Sequence, residues 1–247
     1  MKPPDELIGY LTELQLVWSR QQYEPLAQQA AQQNWTHVEY LNRLLEGECQ
    51  RRRDNRIQRR IQAARFPVIK TLETFNWAWP KKINRAQIQN LFRLAFLQEH
   101  TNVILLGGVG LGKTHLATAL GYAACLAGHT VLFASAVDML NTLLAAQAAH
   151  RLKIELKKYV TPRLLVLDEL GYLPLDKQGA ELLFQVISQR YERGSIVLTT
   201  NKAFKQWPSI FCNDSTLTAA VLDRLLHHAE TLIIEGNSYR MQQPVEI

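Results

Sequence analysis

Eight consecutive residues near the middle of the chain have the composition of a phosphate-binding loop. In order they are Gly107, Gly108, Val109, Gly110, Leu111, Gly112, Lys113 and Thr114. They match the pattern G-x-x-x-x-G-K-[ST], in which glycines let the backbone turn its N–H groups toward phosphate oxygens. An apolar stretch precedes the loop and a helical pattern follows it, which disfavours a chance glycine-rich turn. We therefore predict that this loop and the adjacent His115 bind the phosphates of a nucleotide, with Lys113 at the β- and γ-phosphates and Thr114 on Mg²⁺.

Two acidic residues follow a second apolar stretch. Residues 164–167 read Leu-Leu-Val-Leu, and Asp168 and Glu169 come directly after them. A buried strand here would deliver Asp168 to the carboxyl edge of a sheet, where ligands bind in open α/β folds. We expect Asp168 to hold Mg²⁺ through water and Glu169 to polarise the water that attacks the phosphate. Taken alone, such a stretch is more typical of a strand that ends in solvated acids, and the phosphate loop upstream reverses that preference.

The spacing of the motifs indicates one branch of the phosphate-loop proteins. One further strand, at 130–134, lies between the loop and Asp168. This spacing is typical of the branch that contains ATPase motors and the AAA+ class. Such proteins place a polar residue near the γ-phosphate after the next strand, and an arginine late in the domain that reaches a neighbouring subunit's nucleotide. Asn201 and Arg224 have these positions, with a turn asparagine and a solvated helix arginine as the simpler interpretations.

Apolar strands alternate with helical segments in the second part of the chain. The strands are predicted at 102–106, 130–134, 164–168, 195–200 and 231–235. This alternation predicts an α/β fold, a P-loop NTPase with a five-stranded parallel sheet flanked by helices, preceded by a small all-α domain. The predicted domains are 1–66 and 67–247, with a linker or edge segment at 66–82. Within it, Phe75 and Trp77 are candidates for contact with the nucleotide base, although core packing explains them equally well.

The first part of the chain has helical patterns. Apolar residues recur every three to four positions over 7–18, which favours one face of a single helix. Pro25 is expected to interrupt or open a second short helix. Thr36 and Glu39 have the spacing of a capping box, which predicts a helix that starts there and runs to about residue 60. Near the other end of the chain, the helix that begins around residue 215 is expected to start at a Ser or Thr cap.

An arginine-rich stretch ends the N-terminal helices. Residues 51–65 contain seven arginines and one acid. On a helix, Arg52, Arg56 and Arg60 line up at four-residue spacing, and each like-charged pair costs roughly 0.2–0.5 kcal/mol. An anionic partner would relieve this repulsion, so we expect these residues and Arg59 to contact double-stranded DNA with weak sequence preference. A solvated helix face is the alternative interpretation.

The overall composition is that of a globular protein that could bind an anionic partner. Hydrophobic residues make up 47% of the 247 residues, and the formal net charge is +6. Three cysteines without a CxxC pair favour a reducing compartment. No signal-peptide pattern is visible and no apolar run approaches about 20 residues, so we expect a cytoplasmic protein without a membrane partner. His227 and His228 lack a third ligand at suitable spacing, so we interpret them as surface or cap residues.

Three stretches together resemble a known family. They are GGVGLGKTHLATALG at 107–121, LLVLDELGYLPLDKQGAELLFQVISQRYERGSIVLTTNKAF at 164–204, and AVLDRLLHHAE at 220–230. They closely resemble IstB-type transposition helper ATPases, which are AAA+ proteins related to bacterial helicase loaders and replication initiators. The resemblance covers residues 66–240 closely and the N-terminal helices more loosely. Its GYLPLD block is far more specific than a phosphate loop.

The resemblance implies a function and the roles of individual residues. Such helpers bind ATP and Mg²⁺, form homo-oligomers on DNA, bend it, and recruit or stimulate a partner transposase. The family's phosphate-loop lysine falls on Lys113, its Mg²⁺ aspartate on Asp168 and its catalytic glutamate on Glu169. Its sensor falls on Asn201 and its arginine finger on Arg224. Few residues follow the last predicted strand, so we expect an AAA+ core without a C-terminal helical lid.

Other functions are possible on the same scaffold. The nearest is a helicase loader, which would differ in its partner, and the GYLPLD block favours the transposition helper. A GTPase switch is disfavoured because Asn201-Lys202 begins the motif N-K-x-D but Phe204 replaces its aspartate. A small-molecule kinase would need a segment to bind the acceptor, and none is visible in the sequence. A scaffold that binds ATP without hydrolysing it is disfavoured by Glu169.

Overall fold

The computed structural model of the protein describes residues 5–80 and 82–239. Some predictions therefore lie outside the described residues: the ends of the predicted domains, the search for a signal peptide, one residue of the predicted linker, and part of the case against a helical lid. The chain divides into two compact units, one ending at Arg59 and the other beginning at Arg60. This division concerns backbone packing, and the functional boundary at residue 66 stays a prediction.

Helices make up the described part of the N-terminal unit. They are α1 (Asp5–Glu13), α2 (Val17–Gln33) and α3 (His37–Ala64), the last of which continues into the second unit. The Thr36 hydroxyl accepts the N–H of Glu39 at 3.1 Å, so the predicted cap of α3 is confirmed. The arginine-rich stretch is therefore helical, as the sequence indicated.

The expectation of a single helix over 7–18 is wrong. The chain turns after α1, and Gln15 has a left-handed φ of 54°. A new helix begins at Val17 because the buried carboxylate of Glu48 accepts the N–H groups of Trp18 and Ser19 at 2.8 and 3.2 Å. A carboxylate that accepts first-turn N–H groups stabilises a helix start, and here it comes from a distant helix.

Pro25 does not interrupt α2, which contradicts the second expectation for this region. The helix continues through the proline to Gln33. A proline removes one backbone hydrogen bond from a helix. The helix is held by another helix just before that point, where the Tyr40 hydroxyl donates to the carbonyl of Tyr23 at 2.9 Å.

A five-stranded parallel sheet forms the centre of the second unit. Its strands are β1 (Asn102–Gly107), β2 (Val131–Ser135), β3 (Leu164–Leu170), β4 (Ser195–Thr200) and β5 (Ala229–Ile234). Their order across the sheet is β2-β3-β4-β1-β5, and all neighbours are parallel. The predicted fold class is confirmed. The apolar, largely buried strands are what a sheet covered on both faces requires.

Helices cover both faces of the sheet. They are α4 (Arg85–Leu91), α5 (Ala95–Gln98), α6 (Lys113–Leu126), α7 (Ala136–Ala148), α8 (Leu152–Val160), α9 (Lys177–Arg190), a 3₁₀ helix (Phe204–Ser209) and α10 (Ser215–Leu226). Side chains alternate between faces along a strand. Leu165 and Leu167 accordingly join the core with α7 to α10, while Val166 lies against Gly121 of α6. Among the described residues, no helix is both long and apolar enough to cross a membrane.

The start of α10 differs from the sequence expectation of a Ser or Thr cap. Asp214 caps this helix, and its carboxylate accepts the N–H of Leu217 at 2.9 Å. Aspartate caps a helix as well as serine does, and its charge also interacts favourably with the helix dipole.

Candidate nucleotide-binding site

The sheet order brings the predicted motifs to one edge. Because β4 lies between β1 and β3, the carboxyl ends of these three strands are neighbours. Gly107 ends β1, Asp168 lies near the end of β3, and Asn201 follows β4 directly. Ligands bind at this edge in open parallel sheets. Three motifs that are distant in sequence thus share one site.

The loop between β1 and α6 has the backbone of a phosphate cradle. Gly110 and Gly112 have φ values of 75° and 83°, a region that favours glycine. A Cβ atom on Gly112 would also lie 2.7 Å from the ring of Phe75. The helix α6 starts directly after Gly112, so its first-turn N–H groups and its dipole face the loop. The Lys113 amine donates to the carbonyl of Gly108 at 2.6 Å, which places this cation at the loop.

Asp168 and two threonines form an oxygen cluster beside the loop. The carboxylate of Asp168 is buried, with 5% exposure, and its Oδ1 accepts hydrogen bonds from the hydroxyls of Thr114, at 3.1 Å, and Thr199. Mg²⁺ prefers carboxylate and hydroxyl oxygens together with water and phosphate. Thr114 and Asp168, which the sequence analysis predicted to hold Mg²⁺, therefore have the ligand chemistry that this ion requires.

Thr199 is a site residue that the sequence reasoning missed. It lies in β4, opposite Leu105 of β1, and its hydroxyl also accepts the N–H of Glu169 at 2.9 Å. A threonine near the end of an otherwise apolar strand was a weak signal. Its partners could not be identified until the order of strands in the sheet was known.

Glu169 is set apart from its strand by an irregular backbone. The pairing of β3 with β4 shifts register between Leu167 and Leu170, and Glu169 has a φ of 61°. Left-handed residues other than glycine are uncommon and cluster at functional sites. Regular alternation would place Asp168 and Glu169 on opposite faces of the sheet. With the shift, Glu169 is exposed and lines the cavity next to the loop.

A cavity of about 720 Å³ lies against the loop. This volume is in the range of about 300–1,000 Å³ that is typical of sites for small ligands. Asn201 lines the cavity, as do Lys113 and Glu169. The wall beyond the loop comes mainly from the segment after α3 and from the segment after β5, and consists of Pro67, Val68, Lys70, Thr74, Phe75, Asn76, Trp79, Pro80 and Tyr239.

The aromatic segment (residues 67–80) was predicted as part of a linker or edge segment, with Phe75 and Trp77 as candidates for contact with the base, and the structure places it along the cavity. Phe75 lines the cavity and is buried. Trp77, the other candidate for contact with the base, packs on Phe75 with ring centroids 5.0 Å apart and is not among the lining residues. Trp79 takes part in the wall and was not identified from the sequence.

His115 holds the aromatic segment on α6. Its Nε2 lies 2.9 Å from the carbonyl of Thr71 and 3.3 Å from the hydroxyl of Thr74. Its ring meets Phe75 edge-on at 5.3 Å. The sequence assigned His115 to phosphate binding. The structure places its side chain against the aromatic segment, while its backbone N–H lies in the first turn of α6, where helices leave N–H groups for other partners.

The segment after β5 returns across the loop. Lys82 and Glu235 form an antiparallel bridge with two backbone hydrogen bonds of 3.1 Å. Further on, the N–H of Tyr239 donates to the carbonyl of Gly110 at 3.1 Å, and its ring lies 5.8 Å from that of Trp79. No sequence pattern indicated this contact, because it depends on β5 pairing with β1.

Arg224 lies at the other edge of the sheet. It shares a small pocket with Asn102 and Ile196, which are at the amino ends of β1 and β4. Its guanidinium donates to the carbonyl of Ala220 at 3.1 Å and lies 4.7 Å from the ring of Phe184. A six-residue strand spans about 20 Å. Arg224 is therefore far from the phosphate loop of its own chain.

The four arginines predicted to bind DNA differ in their surroundings. Arg52 donates to the carboxylate of Glu48 at 3.2 Å and to the carbonyl of Gln15 at 3.1 Å. Arg60 is half-buried beside the end of α6. Arg56 and Arg59 are exposed on α3. Arg52 thus has hydrogen-bond partners within its own unit, Arg60 is partly covered, and Arg56 and Arg59 present their charge to solvent.

Comparisons with known proteins agree with this geometry. The family described as "IstB-like ATP binding protein" matches residues 9–246. The ATP-binding protein of insertion sequence IS21 from Pseudomonas aeruginosa is 42% identical over 238 residues, covering 96% of this chain and 89% of the relative. That of IS5376 from Geobacillus stearothermophilus is 38% identical, covering 95% and 93%. Among solved structures, the DnaC helicase loader has a TM-score of 0.54 and 25% identity, covering 67% of this chain and 96% of that one.

Proposed function

Because this chain belongs to the IstB-like ATP-binding protein family, we propose that it is a transposition helper ATPase. It hydrolyses ATP within a homo-oligomer on double-stranded DNA, and it recruits or stimulates a partner transposase. The observation that carries the enzymatic part is the position of Glu169, an exposed carboxylate at the cavity directly beside the buried oxygen cluster of Asp168 and Thr114.

Each site residue has a separate proposed role in phosphoryl transfer. Lys113 and the loop N–H groups bind the β- and γ-phosphates and neutralise their charge. Glu169 orients and polarises the attacking water. Asn201, which lines the cavity, is assigned to contact the γ-phosphate or that water. Mg²⁺ bound by Thr114 and, through water, by Asp168 supplies additional charge neutralisation on the phosphate oxygens.

Phe75, Trp79 and Tyr239 support a place for the adenine base. These rings line the cavity, and those of Trp79 and Tyr239 are 5.8 Å apart. Aromatic faces bind a nucleobase by stacking, worth about 1–3 kcal/mol per base. We assign the base to the space between the aromatic segment and Tyr239, with His115 fixing the position of that segment.

Arg224 supports hydrolysis that depends on assembly. It cannot approach the ATP of its own chain, because it lies at the opposite edge of the sheet. An arginine supplied by a neighbouring subunit stabilises the transition state of phosphoryl transfer. We assign this role to Arg224, so that the ATP of one subunit is hydrolysed only when a second subunit is beside it.

Arg56 and Arg59 are the residues best placed to bind DNA phosphates. Both are exposed on α3, and within the part of the chain that the structure describes neither side chain donates a hydrogen bond to an acidic residue. Replacing both with alanine should weaken binding to duplexes of any sequence. The slope of log K against log salt should fall by about 0.9 for each phosphate that the variant no longer neutralises. Arg43→Ala is the control, because Arg43 is paired with Glu39.

A helicase loader is the second candidate function, and the structural similarity to the DnaC helicase loader supports it. The relatives from insertion sequences cover nearly the whole chain at higher identity, which favours transposition. Co-purification of the chain with the transposase encoded beside it, compared with the replicative helicase of the same host, distinguishes the two partners.

One experiment tests the main proposal. ATP turnover and particle size are measured together, with and without duplex DNA. We expect DNA and ATP to increase particle size and turnover in parallel. Turnover that does not respond to DNA, from a chain that stays monomeric, would contradict a DNA-bound ATPase assembly.

A further inference from the structure

Two adjacent histidines and a glutamate that is distant from them in sequence, all of types that ligate metals, meet at the end of α10. Glu192 follows α9, and His227 and His228 follow α10. One ligand atom from each residue lies within 4.8 Å of the others, and all three residues are exposed. The sequence offered no third ligand for the two histidines. The packing of α9 on α10 supplies it, so the reason for treating them as plain surface residues no longer holds.

The backbone that carries these side chains is anchored on both sides of the cluster. Glu192 has a left-handed φ of 57°, in a tight turn where the N–H groups of Arg193 and Gly194 donate to the carbonyl of Arg190 at 2.9 and 3.0 Å. The carbonyl of His228 accepts the N–H of Asn102 at 2.8 Å, which anchors the histidine pair to the sheet. A site on such rigid supports loses little conformational freedom when it binds a ligand.

Tyr191 orients one of the imidazoles. Its hydroxyl lies 2.8 Å from Nδ1 of His227, and the two ring centroids are 5.9 Å apart. The rings of His227 and His228 are themselves 4.1 Å apart. In metal sites, a second partner on a ligating histidine fixes its tautomer and direction. Tyr191 has that position here without being one of the three ligands.

The ligand chemistry selects a class of ion. Two imidazoles and one carboxylate suit zinc and similar divalent transition ions, whereas Mg²⁺ prefers oxygen ligands alone. Arg224 lines the adjoining pocket together with Glu192 and His228, and Asp223 precedes Arg224 in α10, so residues of both charge signs lie near the three ligands. We propose that Glu192, His227 and His228 bind one zinc-class ion, with water in the remaining coordination position.

The proposed metal site has a consequence for Arg224, the residue that we assigned to act on the ATP of a neighbouring subunit. Arg224 precedes His227 and His228 by about one helical turn. An ion that joins the ends of α9 and α10 would limit the motion of that turn. This extension rests on the proposed function. It predicts that zinc changes DNA-stimulated ATP turnover without changing the affinity for ATP.

Zinc binding is measured on the full chain without a histidine tag, after removal of metal with EDTA, by competition with a chromogenic zinc indicator. We expect one Zn²⁺ per chain, retained in millimolar Mg²⁺. His228→Ala and Glu192→Gln should each weaken binding at least tenfold, and Tyr191→Phe should weaken it less. His37→Ala is the matched control, because His37 is exposed on α3 in the N-terminal unit and should leave binding unchanged.

The zinc-binding measurements can contradict the proposed site in two ways. Equal zinc affinity in the wild type, His228→Ala and Glu192→Gln would overturn the site, as would displacement of zinc by millimolar Mg²⁺. Circular dichroism shows whether each variant is folded, and Glu192→Gln preserves the size of the side chain. The assay contains no nucleotide or DNA, so its failure is distinct from failure of the proposed ATPase function. Zinc that binds without altering turnover would overturn the extension to Arg224.

Discussion

Adjacent acidic residues have different surroundings in this site. Asp168 is buried and accepts two hydroxyl hydrogen bonds, which suits a residue that holds an ion in place. Glu169 is exposed on an irregular turn of the backbone, which suits a residue that must meet water and substrate. The hydroxyl of Thr199 contacts both residues and so connects the two roles.

Lys113→Ala removes the cation at the phosphate loop. Hydrogen bonds to charged groups contribute about 1.5–3 kcal/mol, which corresponds to about 10- to 150-fold in affinity. We expect ATP affinity to fall by at least that factor, measured with a fluorescent ATP analogue. Lys153→Ala is the control, since Lys153 is exposed on α8 and does not line the cavity. Unchanged affinity in the Lys113 variant would contradict the assigned site.

Glu169→Gln keeps the shape of the side chain and removes its charge. We expect ATP binding to persist and turnover to fall by about 10²- to 10⁴-fold, the range for loss of a general base. Particles should accumulate in the ATP-bound form on DNA, as seen by size-exclusion chromatography. Glu181→Gln on α9 serves as the control, because Glu181 is exposed and does not line the cavity. Wild-type turnover in the Glu169 variant would refute its catalytic role.

Among the elements, the ends of α8 and α9 and the start of β4 are joined by one buried side chain. Arg190 is 1% exposed, and burial lowers the pKa of its guanidinium to about 10. It donates to the carbonyls of Tyr159, Val160, Pro162, Arg163 and Ser195. These carbonyls lie at the end of α8, in the short segment between α8 and β3, and at the start of β4; the last carbonyls of a helix have no partner within it. At this junction the Arg190 side chain therefore supplies hydrogen bonds to backbone carbonyls that helices and strands supply elsewhere.

Arg190→Met preserves much of the volume and removes the hydrogen bonds. A buried polar group left without its hydrogen-bond partner costs about 1–3 kcal/mol, and several carbonyls lose Arg190 at once, so the total is at least this large. We expect a loss of that size in the free energy of unfolding, measured by urea denaturation. Arg193→Met is the control, because Arg193 is exposed three residues away. Equal stability of the two variants would show that the carbonyls find other partners.

At the scale of the whole molecule, the residues proposed for catalysis lie at two edges of the sheet. The phosphate loop and Glu169 lie at the carboxyl edge, and Arg224 lies at the amino edge. In the proposed assembly, a second copy of the chain supplies Arg224 to the site of the first. An arrangement of this kind makes turnover a property of the assembly, since no rearrangement within one chain brings the two edges of a sheet together.

Mixing two inactive variants tests this directly. Arg224→Ala alone should lose about 10³-fold or more in turnover, since a transferred arginine is worth about 10³–10⁵. Glu169→Gln alone should also be inactive. In mixed assemblies, an Arg224→Ala subunit keeps its own Glu169 and can receive Arg224 from a Glu169→Gln neighbour. We expect turnover to reappear on mixing, measured by phosphate release on DNA. Mixtures as inactive as their components would place Arg224 outside the neighbour's site.

The sequence alone was sufficient for the fold class and for the nucleotide motifs. The apolar strands alternate with helices, and a glycine-rich loop between strand and helix allows few other structures, because its backbone requires positive φ values. These are local properties, and local patterns can be read from neighbouring residues. Where a distant residue decided the outcome, local patterns failed, as when the carboxylate of Glu48 started α2 and the expected single helix at 7–18 did not form.

Only the tertiary structure decided which distant residues share a site. The order of strands brought the hydroxyl of Thr199 into contact with both Asp168 and Glu169. The pairing of β5 with β1 brought Tyr239 to the cavity. The packing of α9 on α10 joined Glu192 to the two histidines. Each of these contacts joins elements that are far apart along the chain. Their proximity follows from burial of the whole core, which no short stretch of sequence records.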